Sequence, residues 1–154
     1  VNEILPMTSR QYIVQKIFIG FIFGCLSSII AAALCFRLTP AGAAAMLTLI
    51  VLSAFVAALI GLFIGRISDG LMVGVVYIKI VMIVFMAVPL LKYLVVGGNK
   101  AVSYICYLIP SSAAFEGIMA LANGSMATAG KDIVILMLHC VVWLSIYLRT
   151  SLTA

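Results

Sequence analysis

Long apolar stretches separated by short polar breaks set the pattern of this chain. Ile17 to Phe36 carries no charge, and its ~20 residues, rising ~1.5 Å each, cross a hydrocarbon core of ~30 Å. Arg37 to Pro40 breaks it. Thr39 suits the cap of a following helix, and Pro40 suits the first turn, where a missing N–H does no harm. Ala41 to Ile64 is again uncharged and rich in alanine, so it predicts a second span, antiparallel to the first across so short a loop. Before the first span, Pro6 to Lys16 reads PMTSRQYIVQK. Thr8 and Gln11 have the spacing of a capping box, and Arg10 and Lys16 can reach lipid phosphates while their stems stay in the apolar zone.

Arg66 to Gly70 returns the chain to its starting side, with Ser68 or Asp69 placed to cap the next helix. The apolar run that follows contains Lys79 and Pro89. A span beginning at Leu71 would put Lys79 ~13 Å deep, where an ammonium costs about 2.5 to 3.5 kcal/mol on insertion scales. The preferred geometry lays Leu71 to Ile78 along the interface and starts a span of about 18 residues near Lys79, ending at Val96.

Gly97 to Lys100 reads as a turn. Ala101 to Ala122 has the length of a span, but Pro110 divides it and Glu116 would place a carboxylate in lipid. Its two pieces reach only ~14 and ~18 Å as helices, which predicts a re-entrant hairpin packed on protein and entering from the side opposite the N-terminus. Asn123 to Gly130 reads as a loop, and Asp132 as a charge suited to a helix N-terminus. Ile133 to Leu148 is the last span, with Trp143 and Tyr147 at interfacial depth and Arg149 at the headgroups.

The expected architecture is an all-α integral membrane protein, one transmembrane domain over residues 1–154, with four transmembrane helices, a re-entrant helical hairpin and both ends on one side. Lysine and arginine fall five against four between the sides: Arg10, Lys16, Arg66, Lys79 and Arg149 against Arg37, Lys92, Lys100 and Lys131. That bias leans cytoplasmic for the termini.

Composition agrees and narrows the function. Hydrophobic residues make up 66% and charged residues 8%, with a mean hydropathy of +1.36, against about 25% charged in soluble domains. A nucleotide-hydrolysing domain is expected to come from another chain, because the four spans leave no room for one in 154 residues. The net charge of +5 is scattered, which fits anionic headgroups rather than nucleic acid. The polar start, Val1 to Lys16, does not look like a signal peptide, and without an initiating methionine it is expected to begin partway through a longer product. Cys25, Cys35, Cys106 and Cys140 lack metal-ligand spacing. They read as small apolar residues.

Reactive chemistry is sparse: one histidine, four acids, and no HExxH, Walker lysine loop or GxSxG. No catalytic or metal-binding residue is expected. Glu116 is a candidate for function because it lies in a membrane-embedded hairpin, although a headgroup-level pair with Lys100 or Lys131 would also account for it. His139 reads as a hydrogen-bond donor to a neighbouring helix, with a substrate or proton contact as the alternative. Gly20 with Gly24 and Gly61 with Gly65 have the small-xxx-small spacing of helix packing.

Taken in order, these features resemble the C-terminal part of a type-2 ATP-binding-cassette exporter permease. Pro6, Thr8, Ser9, Arg10, Tyr12, Ile13, Val14 and Lys16 stand in that family's pattern before its third span. The next two spans and short outer loop correspond, and Ser68, Asp69, Lys79 and Pro89 match its fifth span in order and spacing. Leu108, Ile109, Pro110 and Phe115 fit its outer hairpin. The family's first two spans are missing at the front. The resemblance implies that Glu3 to Lys16, through Glu3, Pro6, Ser9, Arg10, Tyr12 and Lys16, lies on a cytoplasmic ATPase subunit that binds ATP and Mg. A second permease would complete the pathway, with the glycine and alanine faces as sliding contacts. Lys79, Pro89, Pro110 and Glu116 would mark span boundaries or the outer gate. The competing classes are an ion-coupled carrier, motivated by Lys79, Glu116 and His139, and a noncatalytic membrane partner.

Overall fold

The computed structural model describes residues 9–36, 39–95 and 104–152. They form five helices: α1 (Ser9–Cys35), α2 (Pro40–Ile67), α3 (Leu71–Val95), α4 (Pro110–Ala122) and α5 (Met126–Leu152). All but α4 are long and apolar enough to cross a membrane. α4 has 13 residues and a length of only ~20 Å. The chain is thus an all-α, multi-pass membrane protein.

α2 is the central element because it is apolar all round and packs on each of the others. Met46, Leu49 and Ile50 of α2 meet Ala113, Ala120 and Leu121 of α4 and Ala129 and Leu136 of α5. Lower down α2, Val56, Ile60 and Ile64 pack against Phe85 of α3 and Cys140 and Trp143 of α5. α1 runs antiparallel to α2, as Gly24 lies by Ala54 and Phe21 by Phe55. α5 runs parallel to α2, with the Cys140 thiol 3.7 Å from the Leu52 carbonyl and Trp143 against Phe63. The start of α1 and the end of α5 therefore lie at one end of the bundle.

Helix ends follow the local chemistry in part. The Thr39 hydroxyl accepts from the Gly42 N–H at 3.3 Å, with Pro40 opening α2. Ser68 ends α2 instead of capping α3: its hydroxyl donates back to the Ile64 carbonyl at 2.6 Å. α3 is one uninterrupted helix through Lys79, so the expected separate segment over Leu71 to Ile78 is not an element of its own. Gly74 is the weakest helix former in that segment and is tolerated within it, and α3 continues through Lys79 and past Pro89, which sits buried inside it.

The loop expected over Asn123 to Gly130 is only a tight reversal. Gly124, with φ +74°, gives its N–H to Leu121 at 3.1 Å and Ser125 gives its N–H to Ala120 at 2.8 Å, the paired bonds that close a helix on a left-handed glycine. α5 then begins at Met126, because Gly130 within a Met- and Ala-rich turn is tolerated at a cost of about 1 kcal/mol. Asp132 accordingly lies in the second turn and not at the N-terminus. A glycine governs packing here too: a Cβ on Gly117 would stand 2.9 Å from Leu49 Cδ1 and 3.3 Å from Asp132 Cβ. α4 thus lies pressed between α2 and α5.

Candidate functional site: a charge cluster around Tyr107

A single helical turn over 104–106 leads into a reversal at Tyr107 to Ile109, where Leu108 and Ile109 donate to the carbonyls of Ile105 and Cys106, each at 3.1 Å. Pro110 then starts α4. The reversal inserts Tyr107 between the last turn of α3, the middle of α4 and the second turn of α5. Its hydroxyl donates to the Glu116 carboxylate of α4 and lies 3.1 Å from Asp132 Oδ1 of α5. The Lys131 ammonium donates to the Tyr107 hydroxyl oxygen at 3.3 Å. His139, one face further along α5, fixes the backbone by a 2.9 Å bond from Nε2 to the Tyr107 carbonyl.

Lys92, in the last turn of α3, closes the cluster by an ion pair with Glu116. Its ammonium lies 3.7 Å from the Tyr107 ring centroid, and that of Lys131 4.7 Å. Two carboxylates and two ammonium groups thus surround one phenol. Asp132 is 0% exposed, and its Oδ2 has no hydrogen-bond partner among the described residues. Burial raises the Tyr107 pKa well above the usual phenol range, reinforced by the hydrogen bond to Glu116 and the charges of both acids. Tyr107 therefore keeps its proton and serves as a fixed donor. That single proton faces two carboxylates, so the lysines supply the remaining compensation. Among the described residues, no group of three or more His, Cys, Asp or Glu side chains is arranged to hold a metal. Tyr107 and the groups around it thus form a latch that ties α3, α4 and α5 together.

A family model described as ABC-2 family transporter protein matches residues 3–149, nearly the whole chain. The chain belongs to the ABC-2 transporter family. Membership makes it a membrane transport component of the kind that works with an ATPase subunit. Comparison with curated proteins and with solved structures gave no match.

The family-derived positions scatter over this ABC-2 chain. Glu3, Pro6 and Thr8 lie outside the described residues; Ser9, Arg10, Tyr12 and Lys16 stand in the first two turns of α1. Lys79 is exposed on the flank of α3 beside Met82 and Met86, far along the helix from Pro89 and Lys92. Pro110 and Glu116 belong to α4. The partner of Glu116 is Lys92, not Lys131, which turns to Tyr107; Lys100 lies outside the described residues. Of the four packing glycines, Gly24 comes within 3.6 Å of Ala54 as a Cβ, whereas Gly20, Gly61 and Gly65 meet nothing within 4 Å in this chain. Sequence reasoning missed Tyr107, Lys92 and Asp132 as partners. One signal was available: Lys92, Glu116 and Asp132 lie in or beside three apolar stretches, and charges in a membrane protein tend to pair with one another.

Proposed function

We propose that the chain is a permease subunit of an ATP-binding-cassette exporter and moves its substrate out of the cytoplasm. The family match across all four membrane-length helices carries this reading. The chain has no ATPase site of its own, and ATP and Mg bind a separate cytoplasmic subunit. That subunit contacts the segment from Glu3 to Lys16, through Arg10 and Lys16 in particular. Both termini are cytoplasmic, a second permease completes the pathway, and lipid covers the outer faces. The stretch from about 101 to 122 is a re-entrant hairpin on the outer side, and the cluster around Glu116 holds it against α3 and α5.

The test is co-purification with a cytoplasmic ATPase, followed by ATPase and transport assays in vesicles. Arg10→Glu should cut ATP-driven transport at least tenfold while the protein remains in the membrane. Transport that continues without ATP and collapses with the proton gradient would overturn the reading in favour of an ion-coupled carrier.

A further inference from the structure

A cavity of about 300 Å³ lies between the helices, and all five contribute to its wall. Its lining contains four hydroxyl residues, Ser27 and Ser28 of α1, Ser53 of α2 and Ser111 of α4, and no charged side chain. The hydroxyls are not equivalent. Ser53 donates to the Leu49 carbonyl at 2.7 Å and Ser27 to the Gly24 carbonyl at 3.2 Å, so each offers the cavity only acceptor lone pairs. Ser111 Oγ is shielded from solvent and has no hydrogen-bond partner among the described residues, so its proton is available. A buried hydroxyl without a partner is costly in hydrocarbon.

Phe85 lines the cavity, and Pro89, four residues on in the same helix, has no N–H to give to the Phe85 carbonyl. Ala54, Ala57, Ala114 and Leu136 are among the apolar residues that complete the wall. The volume is at the lower end for small-molecule pockets.

We propose that this cavity binds an uncharged amphiphile through a hydroxyl head, which accepts from Ser111 and donates to Ser53 or Ser27, with its apolar body against the alanines and Leu136. An ionic head would lose its hydration without gaining a counter-charge. The inference rests on the permease reading only in taking the occupant as transported cargo; binding itself needs neither ATP nor a partner.

The experiment is photolabelling of the full chain in its membranes with a diazirine-bearing decanol, alongside the matching decanoate and decane. Label is expected on peptides that carry Ser53 and Ser111, from decanol in preference to the other two. Loss of one hydrogen bond in Ser111→Ala should lower it about three- to tenfold. Ala57→Leu, which adds bulk to the wall, should abolish it, and this variant gives the answer if Ser111→Ala does not insert. Equal labelling by decane would make the cavity a site for lipid tails, and equal labelling by decanoate would remove the preference for a neutral head; either result overturns the proposal, as does decanol labelling unchanged in both variants. Failure of the permease reading would appear instead as ATP-independent transport, with labelling intact.

Discussion

Replacing Lys92 by methionine keeps the length and apolar stem of the side chain but removes the charge that faces Glu116. The Lys92 and Glu116 side chains are only 11% and 28% exposed, so water replaces the lost partner poorly. Breaking a buried pair by removing one member costs about 3 to 5 kcal/mol. Here the lower end applies, because Tyr107 still donates to Glu116 and Lys131 lies over the same ring. Lys92→Met should therefore destabilise the fold by about 3 kcal/mol, and Glu116→Gln, which orphans the ammonium, by a similar amount. In the double variant neither charge is left alone, so the total should fall short of the sum by at least about 1 kcal/mol. Trp143, the single tryptophan, packs on Phe63, and its fluorescence reports unfolding in mixed micelles without a label. Additivity within about 0.5 kcal/mol would refute the pair as an energetic unit and leave α3 held by the Tyr93 and Phe115 rings and apolar contacts.

The other predictions use the same unfolding measurement or simple labelling. Gly117→Ala should destabilise by about 1 to 3 kcal/mol through overpacking, since its Cβ would meet Leu49 and Asp132, and trimming Leu49 to alanine in the same chain should recover part of that loss. Because burial and the acids raise the Tyr107 pKa above its unfolded value of ~10, the folded state holds the proton longer; stability is fully present below pH ~10 and falls as pH rises beyond it. Tyr107→Phe should remove that alkaline slope, seen by comparing both proteins between pH 8 and 11, and should cost about 1 to 3 kcal/mol at neutral pH by leaving Asp132 without its donor. Asn123 is exposed at the reversal between α4 and α5, so a cysteine there should react with a membrane-impermeant thiol reagent from the face opposite the N-terminus; reaction from the N-terminal face alone would reject the re-entrant hairpin.

What could be read from the sequence was what hydrocarbon enforces. A backbone without water must satisfy its own hydrogen bonds, so apolar length alone placed α1, α2, α3 and α5, and the Thr39 cap with Pro40 followed from chemistry within four residues. The misplacements involved partners distant in sequence. Lys79 suggested a break because its cost was reckoned against a span entered at Leu71, yet the ammonium sits exposed on a helix that continues past it. Glycine spacing pointed to Gly61 and Gly65, but the glycine pressed hardest against a neighbour among the described residues is Gly117, whose small partner four positions earlier is the buried Ala113 and not a second glycine. Periodicity records which residues share a face; it does not record which face is covered.

The cluster and the serine cavity meet on the same two helices. On α4, Ser111 and Ala114 line the cavity while Glu116 and Gly117 belong to the packed, charged side. On α5, Asp132 and Leu136 are one turn apart and so share a stripe, one contacting Tyr107 and the other the cavity. A displacement of α4 that opened the Lys92 pair would therefore move the Ser111 wall as well, since Gly117 leaves no slack against Leu49 and Asp132. Apolar packing resists a slide of α4 along α2 through the close fit at Gly117 rather than through hydrophobic contrast, because lipid tails are as apolar as the groove. Ion pairs have a defined partner and a defined loss, which gives α4 one preferred seat. The charges in this membrane protein thus do what hydrophobic contrast does in a soluble one, fixing the position of the element that bounds the cavity.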